Sequence, residues 1–314
     1  MSEVCVPEST RRLTMTTRCQ VESILAQQDD RLLVIVRPRL AQGSAKILKL
    51  CHRLQRLGQN SCNDVMMVLQ VNPENVCASV NGGSPRYTNQ PVGYMTNEQG
   101  STTSGIPVAA EIRGTILVHY VPDLLSLGLA AGCEVQSQSL RELVSGLPFP
   151  IGLRNNSGVP IDAIKSSAEQ HQCFGITKLG QLAVISTAGN AHAFTVLPGN
   201  SDLIDQTLPQ IRKGGGELQQ TSSWRSIVID CSYETPTDIP RNAAVLAHVA
   251  ALLQNGETSL TGIVVEADIT GERRTSNIGT DWASVEATIE ELSACVRARR
   301  AIVKARKDAG HCYC

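Results

Sequence analysis

The chain has 314 residues, 42% of them hydrophobic, and carries 28 basic against 29 acidic side chains. A net charge of -1 supplies no field that would recruit nucleic acid or an anionic membrane, so neither is expected as a partner. No apolar run approaches the roughly eighteen residues of a membrane span, and the N-terminus MSEVCVPESTRRLTM lacks a signal-peptide core, so a soluble cytoplasmic protein is expected.

In chain order, LLVIV with Arg37 reads as the first strand, and Ser44 to Leu57 as the helix that follows it, because Ile47, Leu48, Cys51, Leu54 and Leu57 share one helical face. DVMMVLQV (64–71), IPVAAEI (106–112) and AAGCE (130–134) read as the next strands. PIGL (150–153), CFGI (173–176), SIVIDCS (226–232) and LTGIVVEA (260–267) complete eight. Helical period and composition mark Ser137–Ser145, Pro160–Glu169, Ile239–Leu253 and Trp282–Lys307, and the triple Gly214-Gly215-Gly216 ends a further helix before the seventh strand. Strands alternating with helices in this number predict a closed (β/α)8 TIM barrel. The expected division is an N-terminal extension over 1–30, a single barrel domain over 31–307 and a tail over 308–314. Residues 81–105, rich in Gly, Ser, Thr and Asn, read as a long loop. The eleven cysteines are scattered singly and read as small buried hydrophobes rather than disulfides; His311-Cys312-Tyr313-Cys314 reads as a frayed end.

Several stretches together resemble class I DAHP synthase: DDRLLVIVRP (29–38), SQSLRELVSGLPFPIGLRN (137–155), DAIKSSA (162–168), ITKLGQLAVISTAGN (176–190), IDCS (229–232), GIVVE (262–266) and VRARR (296–300). The resemblance implies the same barrel. It also implies a homodimer or higher homo-oligomer, and a site for small molecules at the C-terminal strand ends. Members of that family condense phosphoenolpyruvate with erythrose 4-phosphate on a divalent metal held by Cys, His, Glu and Asp.

Carried across residue by residue, the cysteine ligand falls on Arg39, the histidine on Tyr233, the glutamate on Glu266 and the aspartate on Asn277. An arginine brings positive charge to the cation's place and leaves one hard ligand, so no metal and no other cofactor is expected. The phosphate-binding positions become Met67, Asn72, Glu74, Glu134 and Pro198, with Arg154 retained in kind and Lys178 retained outright. Charged hydrogen bonds to phosphate are worth about 1.5–3 kcal/mol each, so two arginines replaced by glutamates disfavour the family's substrates.

Glu134, Tyr233, Glu266 and Lys178 are therefore the expected catalytic groups. Arg39, Met67, Asn72, Glu74, Glu111, Arg154, His192 and Asn277 are expected around the substrate. Glu111 reads equally as a brace of the barrel mouth, and His192 as a solvated loop residue; Cys133 is a packing residue rather than a nucleophile. The function expected from this inventory is a metal-independent cyclase, lyase or aldol-type enzyme on a neutral or cationic, non-phosphorylated specialised metabolite. The alternative is a catalytically inactive homologue that acts as a regulatory or binding partner.

Overall fold

In the computed structural model, which describes residues 6–39, 44–71, 105–112, 118, 121–130, 135–177, 180–213, 223–231, 239–268 and 282–309, eight strands close into a ring. They are β1 (Leu32–Arg39), β2 (Val65–Val71), β3 (Val108–Ile112), β4 (Leu127–Ala130), β5 (Ile151–Arg154), β8 (Ala193–Pro198), β9 (Ile227–Asp230) and β10 (Leu260–Asp268). All neighbours are parallel, and the ring shuts by pairing the first strand with the last, Leu33 opposite Gly262 through Arg39 opposite Asp268. The strands are apolar on both faces because one face fills the barrel and the other carries helices.

Side-chain alternation sorts the two layers. Leu33, Ile35, Met66, Val68, Ala109, Leu127, Leu129, Phe194, Val196, Val228 and Val264 pack together inside the ring. The intervening residues pack outward, against helices that include α2 (Ser44–Ser61), through Leu50, Cys51, Leu54 and Leu57, and α7 (Trp282–Asp308), through Val285, Ile289, Leu292 and Val296. The interior has no slack: a Cβ added to Gly152 would meet Val196 at 2.6 Å and Leu129 at 2.7 Å.

The segment read as an extension contains α1 (Glu8–Leu25), whose Val21, Ile24 and Leu25 join the interior cluster and so close the N-terminal end of the ring. Arg18 fastens that helix. It donates from Nε to the Leu125 carbonyl at 2.9 Å and from Nη2 to the Pro122 carbonyl at 2.5 Å, and it stacks 5.3 Å from the centre of the Phe149 ring. Burial lowers its pKa, although a guanidinium remains charged at any working pH.

α3 (Gln138–Ser145), α4 (Ile161–Ala168), α6 (Ile239–Gln254) and α7 lie within a residue or so of the positions read from sequence, whereas α2 starts where it was read but runs past Leu57 to Ser61. The helix before the glycine triplet is α5 (Ser201–Lys213). Two strand expectations are corrected. CFGI is not a barrel strand: β6 (Gln172–Ile176) pairs antiparallel with β7 (Leu182–Ser186) in a separate hairpin, and the sixth barrel strand is β8. The physical distinction is burial, since every second residue of β6 and β7 is exposed whereas β8 is buried throughout. AAGCE also starts late, because the fourth strand ends at Ala130.

The hairpin is anchored at its base. Ser145 and Thr187 share a hydroxyl hydrogen bond of 2.7 Å, the Thr187 hydroxyl accepts from the His171 N–H at 2.8 Å, and Asn190 donates to the carbonyls of Val144, Leu147 and Phe149. Between Thr187 and Asn190 the chain turns at Gly189, with φ of +88°, where a Cβ would strike the Ala168 carbonyl at 2.2 Å. The loop expected over 81–105 lies, apart from Gly105, outside the described residues. Six cysteines are described, all free: Cys51, Cys231 and Cys295 are buried, Cys19 and Cys62 are exposed, and Cys173 is intermediate.

Candidate active site

The interior alternation continues past the apolar layer to the C-terminal ends of the strands, the end where barrels of this kind keep their chemistry. Ile35 leads to Arg37, Val68 to Gln70, Ala109 to Glu111, Gly152 to Arg154, Val228 to Asp230 and Val264 to Glu266. Each of these polar groups therefore points into the ring from a different strand. Arg37 and Glu266 are direct register partners on β1 and β10.

The centre of the group is Asp230, which is 0% exposed. Arg37 Nη2 donates to its Oδ2 at 3.2 Å from one side of the ring, and Arg154 Nη2 donates to the same oxygen from the other. The two guanidiniums keep 20% and 14% of their side-chain surface open while the carboxylate between them keeps none. A molecule arriving at these three groups thus meets the guanidiniums before it meets Asp230. With Glu111 and Glu266 in the same layer, two positive charges face three negative ones, so it is the guanidinium faces themselves, and not the net charge, that suit an anionic carboxylate or phosphate group. Glu111, buried, and Glu266, half-buried, complete the described charges of this layer.

The positions expected at the site fall into three sets. Arg154, Glu111 and Glu266 face the interior at the C-terminal end. Arg39 ends β1, but its side chain lies outside the described residues, as do Asn72, Glu74, Glu134, Lys178, Tyr233 and Asn277 altogether. Two expectations are corrected. Met67 sits on the outer face of β2, in the helix-facing cluster, where its Cε would be 3.1 Å from a Cβ on Gly58 of α2. Its neighbours Met66 and Val68 take the interior positions, so Met67 does not line the site. His192 precedes β8 rather than following a strand, and the error follows from the misplaced sixth strand. It lies at the opposite end of the barrel, its Nε2 4.0 Å from Glu22 of α1.

Arg37, Asp230 and Gln70 were not singled out from sequence. The signal that finds them is the period of two: once Leu33 and Ile35 are assigned inward, Arg37 follows, and Val228 fixes Asp230 in the same way.

The donor set at the family's metal positions does not fit a divalent cation. An arginine at position 39 supplies no ligand, and Arg37 two residues earlier places a guanidinium on the inner face of β1. Glu266 is the one described carboxylate at those positions. Among the described residues, no three His, Cys, Asp or Glu side chains come together as ligands. Among them, too, no helix is long and apolar enough to cross a membrane.

Comparison with known proteins gives a consistent set of relatives. The DAHP synthetase I family profile matches residues 12–297. The tyrosine-inhibited phospho-2-dehydro-3-deoxyheptonate aldolase of Schizosaccharomyces pombe is 30% identical, across 95% of this chain and 89% of that protein. The phenylalanine-inhibited enzyme of the same name from Saccharomyces cerevisiae is 29% identical, across 91% of this chain and 87% of that one. Among solved structures, the phospho-2-dehydro-3-deoxyheptonate aldolase of Francisella tularensis SCHU S4 superimposes with a TM-score of 0.77 over 94% of each chain, and at 21% identity this is a likeness of fold.

These findings overturn the expectation of a cyclase or lyase on a neutral or cationic, non-phosphorylated specialised metabolite. The relatives are named for aldol chemistry on a phosphorylated sugar acid. The earlier inventory also omitted the ion pairs that Arg37 and Arg154 make with the buried Asp230.

Proposed function

This chain belongs to the DAHP synthetase I family, and on that footing we propose that it is an aldol-type carbon–carbon bond-forming enzyme that holds an anionic substrate group at the C-terminal rim of the barrel. One observation carries the reading: Arg37 and Arg154 present partly open guanidiniums on either side of a fully buried Asp230. Asp230 fixes both guanidiniums in place before any ligand arrives, so a bound phosphate or carboxylate gains charged, directional hydrogen bonds without ordering two long side chains. Arg154 occupies the position of the family's strand-five lysine, which keeps the charge there.

The test is an assay of phosphate release from phosphoenolpyruvate in the presence of erythrose 4-phosphate, run with and without added divalent cation because the donor set does not fit one. Release that requires both compounds is the expected result. Arg154→Met, which keeps the length of the side chain and removes its charge, is expected to lower kcat/KM about 100-fold, the loss of a charged hydrogen bond of about 3 kcal/mol. Absence of turnover together with absence of binding of either compound overturns the reading.

The homo-oligomer and the cytoplasmic location belong to the same proposal. The outer face of the β6–β7 hairpin supports the first: Phe174 opposite Val184 and Ile176 opposite Leu182 form an uncharged apolar face, with Phe174 79% and Leu182 76% exposed. A second copy offers the same face to itself, as a two-fold interface requires. Replacing Phe174 and Leu182 together by serine is expected to convert the assembly to monomer in light scattering, and an unchanged mass would move the interface elsewhere.

A further inference from the structure

Gln70 stands on β2 one residue beyond the Val36–Leu69 register pair, so it is the inward-facing neighbour of Arg37. It is 1% exposed, and its Oε1 has no hydrogen-bond partner. A buried amide oxygen left unpaired is destabilising, and hydrophobic residues fill the same strand below it at Met66 and Val68. An apolar side chain at this position would remove the unpaired group. The amide therefore needs an account that packing does not provide.

Its place supplies one. Gln70, Arg37 and Glu266 lie on three adjacent strands, β2, β1 and β10, in the layer just above the apolar interior, and Arg37 leads on to Asp230 and Arg154. A ligand whose anionic group sits on the two guanidiniums brings its adjoining atoms toward the neighbouring strand. We propose that Gln70 is a specificity-determining residue that hydrogen-bonds a hydroxyl of the substrate next to its anionic group. A hydroxyl both donates and accepts, so it satisfies the amide in either orientation. The ligand class is thus a polyhydroxylated anion rather than a bare one. This rests on the anionic-site reading above, and it adds a residue to which neither the sequence nor the relatives assign a role.

The experiment compares erythrose 4-phosphate with butyl phosphate, which keeps the four-carbon phosphate but lacks the sugar oxygens, by calorimetric titration of the wild type, Gln70→Met and Gln70→Leu. Gln70→Met nearly preserves shape, and both variants remove the unpaired oxygen, so thermal midpoints equal to or above that of the wild type are expected. Erythrose 4-phosphate binding should weaken about tenfold in both variants, while butyl phosphate binding stays within a factor of two. Equal affinity of the wild type for the two compounds overturns the role of Gln70 and leaves the anionic site standing. So does a Gln70→Met variant that binds both as the wild type does, or one that loses both alike. A wild type that binds neither overturns the anionic site, and this inference with it.

Discussion

Asp230→Asn should be among the most damaging single substitutions in this barrel, with an expected loss of about 3–5 kcal/mol of stability in urea or thermal unfolding. The carboxylate is fully buried and takes hydrogen bonds from Arg37 and Arg154 on one oxygen. Asparagine keeps the volume and shape but withdraws the negative charge, so the repulsion between the two guanidiniums loses the carboxylate that they share. Replacing Arg154 by Met in the same protein should recover part of the loss, because it removes one of the two repelling charges. A double variant no more stable than Asp230→Asn alone would show that the carboxylate is not the counter-charge that holds the cluster. The coupling between the two sites is read from the cycle rather than from either variant.

The second large effect is expected at the far end of the barrel. Arg299 of α7 is 5% exposed, and it donates from Nη1 to the Leu260 carbonyl at 2.9 Å and from Nη2 to the Asp30 carbonyl at 2.5 Å. Leu260 begins β10 and Asp30 lies just before β1, so one guanidinium ties together the approaches to the two strands that complete the ring. Its neighbour Arg300 binds the Asp30 and Asp64 carboxylates, and Arg297 binds Asp64 as well. The bond to Asp30 raises the pKa of Arg300, against the opposing effect of partial burial. Arg299→Ala leaves the buried Leu260 carbonyl and the part-buried Asp30 carbonyl without their donor and a void where the stem lay, for an expected cost of about 3 kcal/mol. Arg300→Ala, with a partner carboxylate that is 63% exposed, should cost less, about 1–2 kcal/mol. Equal losses at the two positions would mean that surface charge rather than the buried carbonyl bonds holds the seam.

Much of the fold is legible in the sequence, because a barrel strand is a short apolar run and its helices repeat at a period near four. The five helices read with boundaries are all present for that reason, with only the end of α2 placed short, at Leu57 and not Ser61. What misleads is the stretch from 172 to 198, which holds three apolar runs where a barrel needs one. Composition cannot separate Phe174 and Ile176, which meet solvent, from Phe194 and Val196, which fill the ring. The difference lies in the partner across the sheet, an antiparallel hairpin for the first pair and two parallel neighbours for the second. That misreading propagated to His192, whose expected role depended on which strand preceded it. At the site, the residues carried across from the family motifs found Arg154, Glu111 and Glu266. They passed over Arg37, Asp230 and Gln70, because a motif marks where relatives place their own chemistry and the alternation of a strand marks which side chains share an interior.

The pairing of β1 with β10 also bears on how the protein is made. Residues 32–36 form a row of buried aliphatic side chains, and one edge of that row finds its partner only at residues 262–265. While the chain emerges from the ribosome, this strand appears long before that partner, so its open edge persists while every barrel strand between them is made. The residues that lock the join, Arg297, Arg299 and Arg300, are later still. A nascent chain released even a few turns short of them would hold an almost complete sheet with no means of fastening it. Such a product should aggregate through that edge or occupy chaperones rather than persist as a smaller folded barrel.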